Sequence, residues 1–181
     1  MTYTPRPGDF GLTKIGGFTG WWIGLGQFIT GDASRYTHAF IVLDGNQVIE
    51  AMPGGAIISP LEKYLGANDD GTPKAVFSRL EDLTDEQRQI IIREARKAEG
   101  IPYSFLDYLS LALLHFGFKP KKLRKRITDS GHMICSQLVD HYHCVAGYHM
   151  FNDGRLSQDV TPGDLANFLI EKVVAGDASV I

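Results

Sequence analysis

Residues 37–51 place two apolar, β-branched runs, 37–43 and 47–51, around Asp44-Gly45-Asn46. This is a strong hairpin signal, and it constrains the fold more than any other segment. Side chains alternate along a strand, so His38, Phe40 and Val42 share one face, and Val48 and Glu50 share a face on the next strand. The turn decides whether those two faces coincide. A three-residue loop pairs Leu43 with Gln47 and sets Phe40 opposite Glu50, with His38 one diagonal step away on the same face. A two-residue Gly45-Asn46 loop would send Glu50 to the other side. Three-residue loops favour a left-handed last residue, which Asn46 tolerates, so the expectation is that form or a bulge of equal parity.

Further strands are expected at 9–14, 56–59 and 74–79, with a polar loop at 67–72. The second half changes to helical period. Thr84-Asp85-Glu86-Gln87 is a capping box, and Ile91, Ala95 and Ala98 follow at helical spacing until Gly100 and Pro102 end the run. Helices are also expected at 104–116, at 133–146 and after Thr161-Pro162-Gly163-Asp164. Neighbouring strands followed by a block of helices imply an α+β fold, an antiparallel sheet packed against helices on one side. At 181 residues and 44% hydrophobic, the chain is long enough for one well-buried domain and short for two.

Net charge is −3, so no global bias points to nucleic acid. Lys119, Lys121, Lys122, Arg124, Lys125 and Arg126 carry six positive charges, which leaves −9 on the remainder. Lying after an apolar segment, they could make a weak contact with an anionic membrane surface or a phosphate-bearing ligand. The plainer expectation is a solvated loop. The first residues show no basic segment followed by an apolar core, so no signal peptide is visible. That fits a cytoplasmic chain by default, and equally a phage-encoded one.

The two cysteines, Cys135 and Cys144, sit on opposite faces if one helix carries both, so they cannot pair within it. Their spacing is not that of a metal site, and His132, His141, His143 and His149 supply no two-pair pattern either; no metal or cofactor is expected. Cysteine is usually a small core residue, and Cys144 is expected to be one. Cys135 differs because it lies where a helix should begin. Helix-start N–H groups favour the thiolate, which is the nucleophilic form. An imidazole alongside completes a Cys–His pair, with His38 the expected base and His132 its rival. Glu50 could then fix the His38 tautomer.

Gly100-Ile101-Pro102-Tyr103 and Cys135-Ser136-Gln137-Leu138-Val139 resemble the G-x-P-Y and D-C-S-G-L-V segments of the NlpC/P60 cysteine peptidases. The 37–43 and 48–51 strands resemble that family's H-V-G-I-Y-L and I-H-A strands, and Pro7-Gly8-Asp9 its P-G-D-L. Here the histidine precedes the cysteine, so the likeness is to the circularly permuted branch, which includes YiiX/YaeF-like proteins and lecithin retinol acyltransferase relatives. Ile134 and Gln137 stand where the family has aspartate and glycine. Pro162-Gly163-Asp164-Leu165 is read as a helix cap.

The resemblance implies a single permuted papain-like NlpC/P60 domain over 1–181. It implies Cys135 as nucleophile, His38 as base, Glu50 as the orienting third group and Tyr103 beside the oxyanion. Gln27, a polar residue in a glycine-rich segment that also holds Trp21 and Trp22, is a further candidate donor. The expected activity is thiol-dependent hydrolysis of an amide bond, in a peptidoglycan-type or other γ-linked peptide. A lipid-directed thiol acyltransferase or esterase, with an acyl-lipid substrate, and a non-catalytic binding domain are the alternatives.

Overall fold

The computed structural model describes residues 4–14, 36–52, 55–101 and 135–174. Five strands, β1 (Phe10–Thr13), β2 (His38–Leu43), β3 (Gln47–Met52), β4 (Gly55–Pro60) and β5 (Ala75–Phe77), form one antiparallel sheet in the order β4-β3-β2-β1-β5. Among the described residues three helices follow: α1 (Asp85–Arg96), α2 (Cys135–Val145) and α3 (Pro162–Val174). The architecture is α+β, as the change of period along the chain implies.

The hairpin takes the three-residue form. Leu43 pairs with Gln47 and Phe40 with Glu50, and Asn46 adopts φ 60°. At α1, Thr84 Oγ1 accepts from the Gln87 backbone N–H while the Gln87 side chain accepts from the Thr84 N–H, so two otherwise orphaned donors are satisfied. The same device starts α3. Thr161 Oγ1 accepts from the Asp164 N–H at 3.1 Å, and an Asp164 oxygen accepts from the Thr161 N–H at 2.8 Å.

On the helix side of the sheet, Leu12, Ala39, Ile41, Leu43 and Ile49 meet Ile91 and Ala95 of α1, Leu138 and Val139 of α2, and Leu165 and Leu169 of α3. Truncating one such fully buried aliphatic side chain to alanine costs about 2–5 kcal/mol. The opposite face is buried too. There Phe40, Val42, Val48, Ala75 and Phe77 are closed over by Leu61 and Tyr64 from a 3-10 turn, Leu61–Tyr64, that the sequence pattern did not reveal. This turn is tied to the hairpin loop, for the Leu61 N–H donates to the Asn46 carbonyl at 2.9 Å.

Strand β1 must be thin at its centre. Phe40, its partner across the ladder, lies over Gly11, and a β-carbon there would come within 2.2 Å of the ring. The ring stacks instead on Tyr64, with centroids 4.0 Å apart and planes 19° from parallel.

Candidate active site

His38 stands at the start of β2 and Glu50 near the end of β3, both essentially withdrawn from solvent at 2% and 0% exposure. With Phe40 opposite Glu50, His38 lies on the diagonal, and its Nε2–H donates to Glu50 Oε2 at 2.9 Å. That leaves Nδ1 for another partner. Cys135, on α2 and 2% exposed, is in hydrogen-bond contact with the His38 side chain. The structure therefore brings together Cys135, His38 and Glu50, three residues that the sequence singled out.

A break in the sheet admits the sulfur. Pairing between β2 and β3 stops at Phe40 and Glu50. Backbone N–H groups alternate in direction along an antiparallel strand. Val42 N–H points to β1, where it meets the Asp9 carbonyl at 2.8 Å, so Ala39 N–H points to the β3 side. With no ladder partner there, Ala39 N–H donates to Cys135 Sγ, as does the Ser136 N–H. The Ser136 hydroxyl donates to the Val160 carbonyl at 2.6 Å, which ties this end of α2 to the segment leading into α3.

These contacts set the charges. Burial pushes the Cys135 thiol up, but the His38 hydrogen bond and charge, with the two backbone donors, outweigh it and the net shift is downward. Burial pulls His38 down, yet its bonds to Cys135 and Glu50 raise it to about 9. Burial raises Glu50, but donation from His38, Lys63, Tyr64 and Ser59 brings it to about 2. The opposed shifts of Cys135 and His38 favour a thiolate–imidazolium pair, backed by a carboxylate.

Lys63, Tyr64 and Ser59 were not legible as site residues. Lys63 Nζ donates to Glu50 Oε1 at 2.8 Å, and the Tyr64 hydroxyl makes a short hydrogen bond to Glu50 Oε2. Tyr103, Gln27, Trp21, Trp22, His132 and the basic run Lys119–Arg126 lie outside the described residues. His143 is fully buried, its ring nitrogens 2.8 and 3.2 Å from the carbonyl oxygens of Val139 and Gly8, and burial pulls it down despite those two contacts. His141 faces solvent on the same helix. Among the described residues no group of three or more His, Cys, Asp or Glu is arranged to hold a metal ion, and no helix is long and apolar enough to cross a membrane.

No protein-family model matches the sequence, and no curated protein matches it. Among solved structures, the chain is similar to the crystal structure of the metalloprotein YiiX from Escherichia coli O157:H7. The TM-score is 0.56 at 20% identity, over 91% of this chain and 81% of that one. At that identity the likeness establishes a shared fold.

Proposed function

We propose that this chain is a cysteine hydrolase of the circularly permuted NlpC/P60 kind, a single papain-like domain that cleaves amide bonds through an acyl-enzyme on Cys135. The observation that carries the reading is His38 held between a buried thiol and a buried carboxylate, with Nε2 bonded to Glu50 at 2.9 Å and the other side of the ring in contact with Cys135.

In the proposed reaction the Cys135 thiolate attacks the carbonyl carbon. The His38 imidazolium gives its proton to the leaving nitrogen as the C–N bond breaks, leaving a thioester. Water then attacks, His38 takes its proton, and cleavage of the C–S bond returns the thiolate and releases a carboxylic acid. Glu50 keeps the ring oriented throughout. The Cys135 backbone N–H and Tyr103 are the proposed oxyanion donors, with Gln27 a further candidate.

YiiX is described as a metalloprotein. The donors here do not fit that role. Both Glu50 oxygens and His38 Nε2 are taken by protein partners, and Cys135 and the rest of the ring engage each other. No proposed step runs through a metal.

The first test is alkylation by iodoacetamide near neutral pH. Cys135 is expected to label much faster than Cys144, with a pH profile that His38→Ala displaces. Equal labelling of the two cysteines in the native protein would falsify the enzyme reading and favour a binding domain. Turnover of muropeptides against acyl-lipids then separates the peptide substrate from the lipid one, and liposome binding that weakens with salt favours the lipid.

A further inference from the structure

We propose that Tyr64 and Lys63 are positioning residues that keep Glu50 a carboxylate in its dry pocket, so that it orients the His38 ring and leaves the proton there. The inference rests on the catalytic reading above and extends it to two residues that no sequence motif marked.

A buried imidazolium–carboxylate pair has a way to shed its charges: the ring proton can pass to the carboxylate, leaving two neutral groups. At this site that transfer would leave His38 without the proton that the leaving group needs. The other groups facing Glu50 oppose it. His38 on β2, Ser59 on β4, and Lys63 and Tyr64 on the 3-10 turn each donate to the carboxylate. Cys135, on α2, hydrogen-bonds the His38 side chain. Proton transfer would turn the His38 contact into an O–H···N bond, but it would remove the negative charge that faces the Lys63 ammonium and weaken the bonds from Tyr64 and Ser59.

The two residues divide the task. Tyr64 shares Oε2 with His38 and is held rigidly, its ring stacked on Phe40, which in turn meets Phe77 edge-on at 5.8 Å. Burial and the neighbouring Glu50 charge push its hydroxyl well above the usual phenol range, so it remains a neutral donor. Lys63 brings a full positive charge to Oε1 while its side chain stays 45% exposed, so little of its hydration is lost. Its ammonium also lies 4.9 Å over the Tyr64 ring and pins the second donor.

The test follows the Glu50 carboxyl carbon by NMR across acidic pH in wild type, Tyr64→Phe, Lys63→Met and Lys63→Arg. Wild type is expected to stay ionised down to about pH 2. In Tyr64→Phe and Lys63→Met the midpoint should rise by about one unit or more, a tenfold change in proton affinity. Turnover at neutral pH should fall severalfold in kcat with KM unchanged, and Lys63→Arg should restore both readouts. Lys63 is half exposed, so its variants report even if Tyr64→Phe does not fold. If Glu50 titrates alike in wild type and Lys63→Met, the proposal is overturned. If the Glu50 midpoint moves but wild-type Cys135 labels no faster than Cys144, the carboxylate-holding role stands and the enzyme reading falls.

Discussion

The two ends of α2 each carry a cysteine, nine residues apart and about half a turn out of phase. At the C-terminal end Cys144 is only partly buried, its thiol 3.8 Å from Asp140 Oδ2, and burial together with the Asp140 charge pushes it upward. At the N-terminal end Cys135 is far more deeply buried, yet its shift is downward. Desolvation works against the thiolate at both ends, so depth alone predicts the wrong order. The charge nearest the sulfur decides: an imidazolium and two backbone donors at one end, a carboxylate at the other.

The strongest way to break this contrast is to remove the imidazole. In His38→Ala, Cys135 becomes a desolvated thiol like any other. Its alkylation at neutral pH should drop to the Cys144 rate or below, and turnover should fall about a hundred- to ten-thousand-fold. Glu50→Gln keeps the ring but withdraws one of its two supports. The loss should be smaller, about tenfold, with the His38 midpoint moving down from about 9.

A third prediction uses pH alone. As pH rises through about 9 the imidazolium loses its proton, so turnover should fall there. Alkylation needs only the thiolate and should not fall. Coincident alkaline limbs would mean that His38 gives no proton to the leaving group. At the other end, Asp140→Asn removes a charge that raises Cys144, so its labelling should quicken by a few-fold while that of Cys135 stays put. The smallest effect is Thr84→Ala. It should cost about 1 kcal/mol in urea unfolding through loss of the α1 cap and leave the two thiols as different as before.

The sequence made parts of this site legible because they rest on local rules. Asp44-Gly45-Asn46 with two alternating strands leaves few registers, and the left-handed Asn46 gives the parity that puts Glu50 on the His38 face. The α1 and α3 starts were readable because a capping box is a four-residue pattern. What escaped has no such signature. Leu61–Tyr64 is too short to show a period, and it buries Leu61 and Tyr64 against strands whose contribution comes from elsewhere in the chain. The absence of β2–β3 pairing before Phe40 left no mark in composition either, although it frees the Ala39 N–H for the sulfur. The strand expected over 74–79 shortens to Ala75–Phe77, since β1 gives it only three partners, Gly11, Leu12 and Thr13.

The break between β2 and β3 also bears on how the chain gains its reactivity as it folds. His38, Glu50, Lys63 and Tyr64 meet through contacts only 12 to 14 residues apart, which a hairpin and the turn after it close early and cheaply. Cys135 comes from far along the chain and reaches its notch only when α2 docks. Until then its thiol is an ordinary one, slow to alkylate. The onset of fast labelling during refolding is therefore a clock for the last long-range step, and it should lag behind formation of the hairpin.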